Sequence, residues 1–194
     1  MTKTPDNFSW LNSPADEAAL KLLGCELERE ISDEIIRVKI VEVEAYDQND
    51  LASHTFNGET SRNHSMFLSA GHLYVYFTYG MHYCCNIVCG EAGFGAGVLI
   101  RAVEPLANIS LIEKNRNLSG KNVTNGPAKT CQALKIDKNL DGHFLADAPL
   151  KLIKQGPLKN TDIVTTTRIG ITKASEKLRR FYIKDNPFVS KQVK

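Results

Sequence analysis

The chain has 194 residues, 42% of them hydrophobic, which is enough for one well-filled core and too few for two complete domains. Its five cysteines, at positions 25, 84, 85, 89 and 131, show no paired C-x-x-C spacing, so neither a zinc site nor a disulfide framework is signalled and reduced, buried thiols are expected. The formal charge of +2 conceals a gradient: residues 1–60 carry 5 Lys/Arg against 13 Asp/Glu and residues 151–194 carry 11 against 3, a basic end that either meets phosphates or is simply solvated.

Residues 1–12 read as an N-terminal tail, 13–190 as one folded domain and 191–194 as a C-terminal tail. Met1 to Trp10 lacks the apolar segment of a signal peptide, and no run reaches the roughly eighteen apolar residues of a membrane span. A cytoplasmic or DNA-associated protein that is not secreted is therefore predicted. Ser13 as N-cap, Pro14 at the first helical position and the acids that follow open a helix with Ala19, Leu20 and Leu23 on its apolar face, which Gly24 can end. From Cys25 to Glu30 and from Ile35 to Tyr46 the period falls to two, with Ser32-Asp33-Glu34 as the turn of a hairpin. In the second strand Val41, Val43 and Ala45 are expected on one face, and Glu42, Glu44 and Tyr46 on the other.

Asp47 to Met66 is polar and aperiodic, a long loop of the kind that is functional or disordered. Strands follow at Leu73 to Thr78, Tyr83 to Cys89 and Gly97 to Val103, with Gly80 near the first bend. A helix is predicted from Pro105 to Asn115, then a polar linker, a short helix opened by Asn125-Gly126-Pro127, and strands near Leu150–Lys154, Arg168–Ile171 and Arg180–Lys184. Strands that neighbour in sequence, with helices grouped between them, argue for an α+β domain on an antiparallel sheet.

Glu44 is the most informative residue, because an acid inside an apolar strand costs free energy unless it is paired or takes part in chemistry. Hydrolysis of an N-glycosidic bond needs such a carboxylate to activate water beside an oxocarbenium-like sugar carbon. Glu42 shares its face, and spacing does not choose between the two. Arg101 poses the same question in Leu99-Ile100-Arg101-Ala102-Val103: either it pairs with a carboxylate on a neighbouring strand, or it is an edge arginine with a wet head. Tyr46, Tyr76 and His54 could cage a planar base, although a tyrosine in a strand is commonly core. Tyr79, at the tip of the predicted hairpin, is poorly explained by packing and suits a wedge between DNA base steps. No glycine-rich phosphate loop, zinc-protease or zinc-deaminase motif is present, so no cofactor and no metal are expected.

Taken together, Val43-Glu44-Ala45-Tyr46, His54, Arg62-Asn63, Met66-Phe67, Tyr74-Val75-Tyr76, Tyr79-Gly80-Met81, Asn86 and Leu99 to Pro105 resemble the alkyladenine (3-methyladenine) DNA glycosylase family. Gly126-Pro127-Ala128-Lys129, Cys131 to Leu134, Arg168-Ile169-Gly170-Ile171 and Arg180-Phe181-Tyr182 extend the likeness over roughly Ser13 to Ser190. The resemblance implies a curved antiparallel sheet with surrounding helices and a protruding hairpin that enters the DNA minor groove. It implies a monomeric, monofunctional glycosylase that flips alkylated or deaminated purines out of double-stranded DNA and leaves an abasic site. Glu44 would be the base on the attacking water, helped by Arg101 and the backbone carbonyl of Ile169. The flipped base would lie between Tyr46 and Tyr76, with His54 at its edge and Asn86 on the pocket floor, and Tyr79 would fill the gap in the stack. Thr60, Arg62, Met81, Asn125, Lys129 and Lys138 would lie near the phosphate backbone. The sequence departs from the family's usual form in the short acidic stretch before His54, in Ser69-Ala70-Gly71 where a proline-glycine turn is common, and in lacking an extended N-terminal tail. Two other readings share these residues: a module that binds damaged bases without cutting, and a hydrolase of RNA or nucleosides.

Overall fold

The computed structural model describes residues 6–193. Among these residues three α-helices, α1 (Ala15–Leu22), α2 (Ile109–Arg116) and α3 (Pro127–Ala133), accompany eight strands: β1 (Glu26–Ile31), β2 (Glu34–Asp47), β3 (Leu73–Thr78), β4 (His82–Val88), β5 (Ala96–Ala107), β6 (Leu150–Ile153), β7 (Ile163–Thr166) and β8 (Arg180–Ile183). The strands form one curled antiparallel sheet in the order β3-β4-β5-β2-β1-β6, with β8 paired to both β2 and β7. The fold is thus the expected α+β class. At fourteen residues β2 is the spine, pairing with β1, β5 and β8.

Local chemistry explains the early elements. Ser32 and Asp33 both take positive φ, 47° and 68°, as a two-residue hairpin turn requires, and Glu34 pairs back to Ile31. Gly24 has φ 84° and gives its amide to the Ile40 carbonyl, turning the chain from α1 into β1. The helix itself begins one residue later than predicted: Pro14 is the N-cap, and the Ser13 hydroxyl accepts from Lys21 Nζ at 3.0 Å instead of capping.

Alternation along β2 changes phase in mid-strand. Ile36, Val38 and Ile40 face the main core, Val41 packs separately with Ala102, Tyr182 and Val189, and Val43 and Ala45 face the main core again. The expectation that Val41 shares a face with Val43 and Ala45 is therefore corrected. The cause is a bulge: pairing with β5 slips between Ile40 and Glu42 and again between Glu42 and Val43, and an extra residue inverts every side chain beyond it. β5 bends at the matching point, with Ile100 and Val103 in the core and Arg101 and Ala102 between them turned away from it.

α1, α2 and α3 bury Ala18, Ala19, Leu22, Ile112, Cys131 and Ala133 in the core against one face of the sheet. Of the segments read as tails, residues 1–5 and 194 lie outside the described residues, and parts of the rest join in. Phe8 and Leu11 are buried, Phe8 edge-on to Phe144 at 5.3 Å, and the Val193 amide donates to the Tyr182 hydroxyl at 2.9 Å. Two other expectations change. Pro105 and Leu106 belong to β5, where Val38 pairs with Pro105, so α2 starts only at Ile109 after Asn108 adopts φ 54°. Arg168–Ile171 is not a strand: Gly170 has φ 78°, and the strand in that region is the β-branched run Ile163-Val164-Thr165-Thr166.

Candidate active site

The bulge sends one set of side chains onto the face that the helices leave uncovered. There β2 contributes Glu44 and Tyr46, β3 Tyr74 and Tyr76, β4 Cys84 and Asn86, and β5 Leu99 and Arg101, all lining one cavity of about 360 Å³. His54 and Met66 from the long loop, Thr78 and Tyr79 from the β3–β4 turn, and Ile169 to Ile171 close its sides. The volume suits a small flat ligand. Every residue predicted for catalysis, base binding or intercalation lines this single space.

Glu42 and Glu44 are both fully buried, yet their partners differ. Glu42 Oε1 accepts from Arg101 Nε at 2.9 Å, Arg180 Nε at 2.7 Å and the Ser190 hydroxyl at 2.8 Å, while its Oε2 accepts from the Ser190 amide at 2.6 Å. Glu44 Oε1 accepts from the Ile169 amide at 2.8 Å and lies 3.2 Å from Arg101 Nη1, while Oε2 accepts the Tyr46 hydroxyl at 2.8 Å. A carboxylate oxygen has room for two donors, so Glu44 Oε2 keeps one acceptor position on the cavity wall. Glu42 does not line the cavity. The ambiguity left by spacing is resolved by geometry: Glu42 holds the sheet together, and Glu44 is the carboxylate that meets the cavity. Ile169 touches Glu44 through its amide N–H.

Arg101 bridges both acids. Burial alone would lower its pKa, but Glu44 and Glu42 outweigh that and raise it. Burial, the Glu44 charge and the hydrogen bond to Glu44 push the Tyr46 phenol well above its ordinary value, which keeps it a donor to Glu44.

The remaining wall is aromatic. Tyr74 and Tyr76 are stacked with centroids 5.5 Å apart and planes 22° apart, and His54 meets Tyr76 edge-on at 4.6 Å. His54 Nδ1 lies 3.1 Å from the Tyr74 hydroxyl. The ring stands at the open rim but is crowded by protein, and that crowding, with Arg62 nearby, lowers its pKa and favours the neutral imidazole. Burial raises the Tyr74 phenol to about 12. Tyr74, Cys84, Leu99 and Met66 are wall residues that sequence reasoning did not assign to the site. The first three share strand faces with Tyr76, Asn86 and Arg101, two residues away in each case, so the period of two could have found them.

On its other side Tyr46 carries the Arg168 guanidinium, 4.6 Å from the ring centroid. Arg168 pairs with Asp50, and Asp50 also binds Arg179, which reaches Asp16 and Asp47. Burial alone would raise the Asp50 carboxyl; Arg168, the Ala52 amide and Arg179 hold it below its usual value.

Tyr79 and Gly80 form the tip of the β3–β4 hairpin with φ 52° and 67°. A left-handed tyrosine is strained, and this one is 84% exposed, so packing does not explain it. The loop Asp47 to Met66 is pinned rather than loose: Thr55 Oγ1 donates to the Gly95 carbonyl at 2.9 Å, and Asn63 Nδ2 donates to the His54 carbonyl at 2.8 Å. The six residues expected near phosphates lie outside the cavity lining. Thr60 donates to Asn63 Oδ1, Arg62 to the Phe77 carbonyl, Lys129 to Asn125 Oδ1 at 2.7 Å and Lys138 to Asp141, while Met81 stands exposed beside Tyr79.

The sequence profile of the family described as methylpurine-DNA glycosylase (MPG) matches residues 9–187. A protein of Carboxydothermus hydrogenoformans is 48% identical over 176 residues, covering 90% of this chain and 92% of its own length. One from Francisella tularensis subsp. tularensis is 46% identical over 180 residues, covering 91% and 93%, and one from Methanoculleus marisnigri is 42% identical over 179 residues, covering 90% and 92%. All three are named "Putative 3-methyladenine DNA glycosylase". With a buried carboxylate opening onto a ring-lined cavity and a profile match across nearly its whole length, the chain belongs to the methylpurine-DNA glycosylase family of N-glycosyl hydrolases.

Proposed function

We propose that this protein is a monomeric, monofunctional base-excision glycosylase that turns an alkylated or deaminated purine nucleotide out of double-stranded DNA and hydrolyses its bond to deoxyribose. The observation that carries this reading is the free acceptor position of Glu44 on the wall of an aromatic cavity large enough for a purine. A water there gives its proton to Glu44 Oε2 as its oxygen bonds to the anomeric carbon. The glycosidic electron pair leaves with the base, so an N-alkylated, cationic purine departs neutral. Tyr46 and Tyr76 flank the base, His54 meets its edge as a neutral ring and Asn86 lies beneath it. Tyr79 fills the space that the base vacates, and Arg62, Met81 and the Asn125–Lys129 pair face the backbone with Thr60 and Lys138.

Flipping costs a few kcal/mol of unstacking, least for a damaged or mispaired base, so selection begins before the pocket is entered. Among the described residues no lysine lines the cavity, which favours hydrolysis over a Schiff-base reaction that would cut the strand. Five buried free thiols suit a reducing, cytoplasmic setting.

The test is release of free base from a duplex carrying one 3-methyladenine or hypoxanthine, leaving an alkali-labile abasic site. Glu44→Gln is expected to abolish release while lesion binding persists. Excision by that variant at the unmodified rate would remove Glu44 from the mechanism.

A further inference from the structure

Resting on the proposed base pocket, we infer that Arg168 is a specificity-determining residue: its guanidinium, stacked on the far face of Tyr46, tilts the pocket away from cationic purines and toward neutral ones.

Tyr46 stands between two environments. One side of its ring borders the cavity, and the other meets Arg168, whose side chain has no exposed surface and does not line the cavity. The guanidinium is held in one orientation. Its Nη1 donates to the Ala45 carbonyl at 3.1 Å and to Asp50, and its Nη2 donates to Asp50 Oδ1 at 3.1 Å and to the Ala174 carbonyl at 3.3 Å. Asp50 meets the guanidinium at its edge, leaving the flat face to the ring. Its Nε is buried with no hydrogen-bond partner among the described residues. An unsatisfied buried donor is unfavourable, and packing alone would be served by an apolar side chain of similar length.

A cation on one face of an aromatic ring draws π-electron density toward itself, so the opposite face attracts a second cation less. The two positive charges also repel across the ring. An N-alkylated purine stacked on the open face of Tyr46 feels both effects, whereas a neutral purine such as hypoxanthine feels little of either. Arg168 thereby narrows the advantage that an electron-rich cage gives to charged lesions. Because Ile169 follows directly and its amide binds Glu44, the same side chain also positions the catalytic carboxylate, an effect common to all substrates.

The measurement is the ratio of kcat/KM for release of 7-methylguanine to that for release of hypoxanthine, each from a single-lesion duplex. In the double variant Asp50→Asn with Arg168→Met, which avoids an unpaired buried acid, the ratio is expected to rise about three- to tenfold. Arg168→Lys keeps a charge for Asp50 and so is the safer variant for folding. Its compact ammonium pairs with Asp50 and uncovers the ring, and the ratio is expected to move the same way. Asp50→Asn alone leaves the guanidinium over Tyr46 and is expected to keep the unmodified ratio. An unchanged or lower ratio in the folded Arg168 variants, with both rates falling together, would overturn the inference and leave Arg168 a scaffold residue. Failure of the unmodified protein to release either base would instead refute the glycosylase reading itself.

Discussion

The two faces of the sheet are built from the same strands and differ in what they tolerate. Toward the helices, β2 and β5 present Ile36, Val38, Ile40, Val43, Val98, Ile100 and Val103, all fully buried and wholly apolar. Toward the cavity the same strands present Glu44, Tyr46 and Arg101, and the residues between them on neighbouring strands are tyrosines, a thiol and an amide. The first face gains from area removed from water, which is indifferent to direction; the second depends on hydrogen bonds that must point somewhere. A polar residue in an apolar strand therefore marks which face is open.

That contrast can be broken or sharpened by substitution. The largest effect is expected on the cavity face, where Glu44→Gln should slow base release by about 10²–10⁴-fold, read by single-turnover kinetics, with little change in melting. Glu42→Gln, two residues away, should do the reverse. It leaves Arg101 and Arg180 without full charge compensation in the interior and should cost about 3–5 kcal/mol in denaturant unfolding. If the two variants produced the same profile, the division of labour between these acids would be wrong. On the core face Ile100→Ala should cost about 2–5 kcal/mol and leave the rate per folded molecule unaltered. Tyr79→Ala should weaken lesion-duplex affinity by about 1–3 kcal/mol without lowering the melting temperature, since its ring packs against little.

The smallest effect concerns acid. Asp50 has a folded pKa below the ordinary 3.8, so its contribution to stability is complete above pH 3.8 and is lost as pH falls through the depressed value. Asp50→Asn should be less stable than the unmodified protein at neutral pH, and the gap should close in strong acid. A gap that widened on acidification would contradict the pairing with Arg168 and Arg179.

Much of this was legible in the sequence, and the exceptions have one cause. Glu44, Tyr46, Tyr76 and Arg101 stood out because each violates or decorates an apolar strand, a signal that lies within a few residues. The class of fold followed from strand and turn chemistry for the same reason. What escaped depends on partners distant in the chain. Val41 leaves the main core because β2 and β5 slip against each other, sixty residues apart. Pro105 looks like a helix opener and becomes strand because Val38 pairs with it. Arg168 looks like a strand residue, but its orientation is set by Asp50, over a hundred positions earlier. Tyr74 was within reach of the alternation rule.

The irregularity between Ile40 and Val43 has a consequence for how such a chain can vary. Removing one residue there would let strict alternation run unbroken from Ile36 to Ala45, with Val43 and Ala45 still toward the core and Glu44 still opposite, but it would take away the step that places Val41 with Ala102, Tyr182 and Val189. The extra residue thus lets one strand serve two separate apolar clusters: a single-codon deletion would spare the orientation of the acid and empty the smaller cluster beside β8.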